Sequence, residues 1–166
     1  MNDTEREAHL LQELYSTGLL VELLVERELA AAGVPAEQFS FLGWIAALQP
    51  VSPGELAAET GMPPTTIRDN VRRLVERRLV RKRPNPSDGR SYHLVLSPQG
   101  TRLTERGWPA VVRAYEQVAE HLDRPAGEVI DGVRAARRGL RQALAQDPPP
   151  RPTVSAEPRR ARRSTT

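Results

Sequence analysis

SPGELAAETGMPPTTIRDNVRRLVERRLVRKRPNPSDGRSYHLVLSPQG, residues Ser52 to Gly100, is the stretch whose reading decides the fold. Ser52, Pro53 and Glu55 form a capping-box start: a hydroxyl acceptor, a residue needing no N–H donor, and a carboxylate three residues on. Leu56 and Ala57, with Met62 just beyond, supply the apolar side of this first helix, and Gly61 can take the left-handed conformation that ends it. A second helix starts at Pro63 or Pro64. Ile67, Val71, Leu74 and Val75 recur at i, i+4, i+7 and i+8, so one stripe is core. The opposite face carries Thr65, Thr66, Arg68, Asp69, Arg72, Arg73 and Glu76. Two strands follow, Leu79 to Arg83 and Tyr92 to Ser97, the second with Tyr92, Leu94 and Leu96 alternating against His93, Val95 and Ser97. PNPSDGR lies between them, with the turn chemistry of Pro84, Pro86 and Asp88-Gly89, and Arg90 stands at its end.

Two short helices followed by a hairpin make a helix-turn-helix with a wing, an arrangement that lays its second helix in a DNA major groove. Hydroxyls at the amino end of that helix and arginines along its flank suit entry amino end first. A solvated charged face has the same composition taken alone. The flanking hairpin tips the balance, because an arginine held at its tip can reach a minor groove while Asp88 directs it. The residues read as facing bases and flanking phosphates are Thr65, Thr66, Arg68, Asp69 and Arg72. Arg90, steered by Asp88, is the minor-groove residue, and Arg73, Arg77 and Lys82 are phosphate candidates.

The run from Leu56 to Gly100 resembles the winged-helix core of the MarR family of bacterial regulators. The resemblance rests on ELAAETGM, on TTI followed by RRLVERRLVRKRPNPSDGR, and on the strand YHLVLSPQG running into a long helix. The family's Asp-x-Arg wing signature maps onto Asp88 and Arg90. The resemblance implies an obligate homodimer, a palindromic operator in double-stranded DNA, and release of that DNA by a small-molecule effector. Asp69 and Arg72 depart from the family, which often carries the two charges the other way round, so no family operator is carried over.

Charge is strongly polarised along the chain. The net charge is only +3, but residues 1–51 hold 2 basic and 8 acidic side chains, a balance of −6. Residues 63–90 hold 9 basic and 3 acidic side chains, a balance of +6. Lys82 is the only lysine, and arginine's planar fork fits phosphates and guanine edges better than an ammonium does. There is no cysteine, which excludes disulfides, cysteine-ligated zinc and thiol-based oxidant sensing. The acidic amino terminus and the Glu22 interruption of Leu19–Val25 argue against a signal peptide, and no run approaches the ~20 apolar residues of a membrane span. The expected localisation is cytoplasmic, without membrane association.

The flanks read as a dimer clasp. A helix from Thr4 to about Ala32 carries Leu10, Leu11, Leu14, Val21, Leu24 and Val25 as an apolar stripe. Ser97-Pro98 opens a helix to about His121, which Trp108-Pro109 should bend. Another helix, about Pro125 to Ala145, carries Val129, Val133, Ala136, Leu140 and Leu144, with Gly127, Gly132 and Gly139 weakening it. The expected organisation is therefore a dimerisation helix at 1–34, a winged helix-turn-helix at 35–100, dimerisation helices at 101–146, and a disordered Pro/Arg-rich tail at 147–166. The fold class is mainly α with a small β-hairpin wing, built as an intertwined helical dimer. Phe39, Phe41, Trp44, Ile45 and Leu48 recur at helical spacing and read mainly as core. The resemblance implies an effector crevice that Tyr15, Phe39 and Trp44 would border. His9, His93 and His121 have no metal-ligand spacing, and nothing points to a cofactor. No nucleophile–base pair or phosphate loop points to an enzyme. The function this implies is sequence-specific DNA binding as a transcriptional repressor. The alternative is a winged-helix protein–protein interaction module without DNA binding, which a positive face disfavours because interface centres are depleted in charge.

Overall fold

The computed structural model describes residues 3–146; the tail at 147–166 lies outside them. Helices α1 (Asp3–Ala31), α2 (Ala36–Leu48), α3 (Pro53–Thr60) and α4 (Pro64–Glu76) lead into strands β1 (Val80–Pro84) and β2 (Tyr92–Leu96). Helices α5 (Pro98–Ala119) and α6 (Ala126–Gln146) complete the described chain. It divides into two compact units, residues 1–121 and the segment from 122 onward.

Local signals decide where the elements of the first unit begin and end. The Ser52 hydroxyl accepts from the Glu55 amide at 3.2 Å, and a Glu55 carboxylate oxygen accepts from the Ser52 amide at 2.7 Å, closing the capping box of α3. Gly61 sits at φ 73° and ends that helix. Its left-handed backbone is one that a side chain would strain. β1 and β2 pair antiparallel, with Val80 opposite Leu96 and Lys82 opposite Leu94. Val51 adds a bridge to Leu94 on the far side of the hairpin, with amide-to-carbonyl distances of 3.3 and 2.8 Å. Leu94 is consequently enclosed, and Val95 beside it is buried as well, so β2 does not follow the simple alternation that its sequence suggests.

One core joins Phe41, Leu42 and Ile45 of α2, Leu56 of α3, the Ile67–Val71–Leu74 stripe of α4, and Val51, Leu79, Val80 and Leu94. Burying these side chains is the main force that holds α4 at a defined angle to the hairpin. A second cluster packs α1 and α2 onto α5 through Leu29, Val34, Phe39 and Ala110. Glu28 of α1 adds a polar clamp to this seam. It accepts from the Gln117 side-chain amide at 2.9 Å and from Arg113 at 3.4 Å, and Arg27 in turn reaches Gln117. The hydrogen bond from Gln117 is the main cause of a Glu28 carboxyl held below its ordinary pKa. α5 runs unbroken through Pro109.

The second unit contributes α6. Val133, Leu140 and Leu144 are exposed along it, and Gly127, Gly132 and Gly139 each face open space.

Candidate nucleic-acid interface

The α4 helix is the centre of the site. Its apolar stripe is sealed in the core, so helical geometry turns Thr65, Thr66, Arg68, Asp69 and Arg72 outward, and all five are exposed. Pro63 precedes the first turn and Pro64 opens it, leaving the Thr65 and Thr66 hydroxyls at the amino end. A helix presents partial positive charge there, which favours an approaching phosphate.

Tertiary partners sort the arginines that composition alone treats alike. Arg68 makes no side-chain hydrogen bond or ion pair among the described residues. Arg72 pairs with Asp69 at 3.2 Å along the helix surface. That exposed pair is worth little by itself, and it leaves most of the guanidinium's donors free. Arg73 is turned toward α2, meeting Glu37 at 2.9 Å and the Asn70 side-chain oxygen at 2.8 Å. Lys82 places its ammonium 4.3 Å from the centre of the Tyr92 ring, a cation–π contact across the hairpin. Arg77 caps the carboxyl end of α4 and lines a hollow beside α5 rather than the outward face.

The wing loop is organised by its own side chains. Asn85 accepts from the Ser87 amide at 2.9 Å, and Asp88 accepts from the Arg90 amide at 3.0 Å. Asp88 therefore sets the backbone at Arg90 in an Asx turn rather than gripping the guanidinium. The Arg90 side chain is exposed and has no partner among the described residues.

Tyr15, Phe39 and Trp44 are not brought together. Tyr15 is 72% exposed on α1, whereas Phe39 is 5% exposed in the second core cluster and Trp44 is half-buried against the first. The ring of Phe39 lies against Gly107 of α5, whose missing side chain makes room for it.

Two residues matter that sequence reasoning missed. Arg78 has φ 56°. With the Arg78 amide on the Val75 carbonyl and the Leu79 amide on the Leu74 carbonyl, both at 2.9 Å, it closes α4 in a Schellman turn usually given to glycine. Ser97, read from the sequence only as the start of α5, is 3% exposed. It accepts from the Gly100 amide at 3.0 Å and donates to the Arg78 carbonyl at 2.6 Å.

Residues 32–91 match the MarR family model. Among solved structures, CouR from Rhodococcus jostii RHA1 bound to p-coumaroyl-CoA is 26% identical, with a TM-score of 0.63 over 77% of this chain and 88% of that one. Sco3205, a MarR family transcriptional regulator from Streptomyces coelicolor in complex with DNA, is 23% identical, with a TM-score of 0.66 over 84% of this chain and 93% of that one. A single-residue mutant of MarR from E. coli complexed with operator DNA is 20% identical, with a TM-score of 0.62 over 87% and 99%. No curated protein sequence matches the chain significantly. The matched segment runs from the turn after α1 through α2–α4, β1 and the wing loop, so over these residues the chain is similar to the MarR family, and it shares the fold of these winged-helix transcriptional regulators through the flanking helices.

Proposed function

We propose that this protein is a sequence-specific DNA-binding transcriptional repressor that works as a homodimer on a palindromic operator and releases it when a small-molecule effector binds. The observation that carries the reading is the outward face of α4, with hydroxyls at its amino end, beside a wing whose tip presents Arg90; among the described residues neither Arg68 nor the Arg90 side chain has a partner. Thr65, Thr66, Arg68, Asp69 and Arg72 meet base edges and flanking phosphates, and Arg90 enters the adjacent minor groove. Arg73 and Lys82, already engaged by Glu37 and Tyr92, act on phosphates only after yielding those partners.

Exposed apolar surface supports the dimer. On α1, Leu10, Leu11, Leu20 and Leu23 are all more than half exposed. On α5, Trp108 and Tyr115 are too. Large apolar side chains exposed in this number on two packed helices support an interface. A twofold axis through these helices would set two copies of α4 about one helical turn of DNA apart, roughly 10–10.5 base pairs. An effector then acts by changing that separation, within the limit of its differential affinity for the two dimer states. That CouR is bound to p-coumaroyl-CoA supports a ligand-responsive reading.

Fluorescence anisotropy of the protein on DNA from upstream of its own gene, beside shuffled DNA across a salt series, tests the proposal. Selective binding at two protomers per site supports it. Failure to bind any DNA at low salt overturns it in favour of a protein-interaction module.

A further inference from the structure

We propose that the hollow between α2, the carboxyl end of α4 and the amino end of α5 is a binding site for a small organic anion carrying phosphate or carboxylate groups. The proposal rests on the effector-responsive reading above and supplies the site and the charge of the effector.

The hollow has a volume of about 660 Å³. Arg77, Arg102 and Arg106 line it, with the Gln38 and Gln99 amides between them and Leu103 beneath. No carboxylate stands in that lining. Three guanidiniums sharing one concave wall repel one another unless a counter-charge lies among them. The chain spends none of its own acids here, although Glu37 is a neighbour of Gln38 and is turned instead to Arg73 at 2.9 Å. Arg77 and Arg102 make no side-chain hydrogen bond or ion pair among the described residues. Among the described residues the Arg106 side chain makes one bond, to the Gly33 carbonyl at 3.3 Å. That leaves most of a fifteen-donor set (five N–H per guanidinium) without a protein acceptor among the described residues. Leu79 and Leu103 give the floor an apolar patch, the mixture of greasy wall and few polar groups that small-molecule sites share.

The charge continues into a neighbouring hollow of about 610 Å³, which shares Gln99 and Arg102 and adds Arg78, Arg81 and Lys82, again without a carboxylate. The amino end of α5 lies between the two, so its dipole reinforces the same sign of potential. An anion with one charged group in each hollow would fit this doublet better than a single small ion.

The location separates the first hollow from the base-reading turn at the amino end of α4. Thr65 and Arg77 lie at opposite ends of α4, about 18 Å apart along the axis. A ligand on Arg77 and Arg102 is therefore clear of the groove-entering turn, yet it bridges the end of α4 to α5, the helix that joins the winged core to α1. Pulling Arg77 toward α5 is a physical route from occupancy to the tilt of α4. The site is also distinct from the Tyr15, Phe39 and Trp44 region, none of which lines it.

The test is isothermal titration of inorganic pyrophosphate, and separately of citrate, into the DNA-free full-length protein at constant ionic strength. Three proteins are compared: wild type, Arg102→Gln/Arg106→Gln, and Arg68→Gln/Arg90→Gln. The site predicts saturable binding of at least one probe at one equivalent per chain. Affinity should fall about tenfold or more in Arg102→Gln/Arg106→Gln, as expected for loss of charge-assisted hydrogen bonds, and stay unchanged in Arg68→Gln/Arg90→Gln. Tighter pyrophosphate binding assigns a phosphate ligand, and tighter citrate binding a carboxylate. Equal affinity in all three proteins, loss confined to Arg68→Gln/Arg90→Gln, or no saturable binding of either probe overturns the proposal. Thermal melts establish that each variant folds, and Arg102→Lys, which keeps the charge and removes the fork, repeats the comparison with a milder change. Operator binding is measured on separate samples. A chain that binds pyrophosphate through Arg102 but no DNA would overturn the regulator reading and leave the anion site standing.

Discussion

The Ser97 hydroxyl donates to the Arg78 carbonyl at 2.6 Å, tying the junction of β2 and α5 to the junction of α4 and β1. Both residues sit at junctions between elements. Arg78 ends α4, the helix proposed to face DNA, and Ser97 starts the helix that links the wing to the α1 seam. The Ser97 amide donates to the Leu79 carbonyl at 2.9 Å beside it, so two bonds hold one crossing point. Replacing Ser97 by alanine leaves the Arg78 carbonyl without its donor and the Gly100 amide without its acceptor in a buried place. A loss of about 1–3 kcal/mol is expected, read as a lower urea midpoint with an unchanged slope.

Arg78→Gly should act in the opposite direction. A non-glycine residue in the left-handed region carries about 1–2 kcal/mol of steric penalty, part of which glycine gives back through its freer unfolded chain. A gain near 1 kcal/mol in the same urea experiment is expected. A loss would show that the arginine side chain holds something the backbone argument omits.

Two glycines on α5 admit no side chain. A Cβ at Gly100 would lie 2.1 Å from the Leu79 carbonyl oxygen, and one at Gly107 would lie 2.3 Å from the Phe39 ring. The first obstacle is backbone and the second a ring edge that has some room to turn. Alanine at either position should destabilise by about 1–3 kcal/mol, with Gly100→Ala at the upper end. Comparing the two melting temperatures checks the order.

The wing makes a prediction about DNA in which two neighbours differ. Arg90→Ala removes the proposed groove contact itself and should weaken operator binding by about 1–3 kcal/mol. Asp88→Ala only releases the loop backbone at Arg90, so affinity should fall less while hydrogen exchange at the Arg90 amide accelerates. Arg73→Ala, which removes a side chain already held by Glu37, should change the salt dependence by at most about one unit of slope. Equal losses in all three would contradict the sorting of these residues by their partners.

Acid should loosen the capping box. Hydrogen bonding from the Ser52 backbone holds the Glu55 carboxyl below its ordinary value. A depressed folded pKa means the stabilisation is complete above the unfolded glutamate range and is lost as pH falls through the folded value. Glu28 has the same sign, set first by Gln117. Glu55→Gln should therefore be less stable than wild type at neutral pH, and the difference should close as the pH is lowered into the acid range. A constant difference across pH would rule out the carboxylate as its source.

The capping box, the Ile67–Val71–Leu74 stripe and the turn chemistry of the wing were legible in the sequence because each depends on residues within a few positions of one another. The same holds for the outward residues of α4, since a helical period projects side chains without reference to the rest of the chain. Other features come from residues far apart in sequence and appear only in the folded chain. The Val51 bridge to Leu94, the left-handed Arg78 and the close approach of Gly100 to Leu79 are three of these. Phe39 and Trp44, neighbours on one helical pattern, part company because two different cores claim them. Composition marked Arg68, Arg73, Arg77, Lys82 and Arg90 alike as cations. Glu37 took Arg73, the Tyr92 ring took Lys82, and the bend after α4 turned Arg77 into a hollow with Arg102 and Arg106. Sequence alone singled out the candidate residues for the chemistry. Tertiary packing decided which of them stay free to use it, because a partner's position is set by every contact that places its helix.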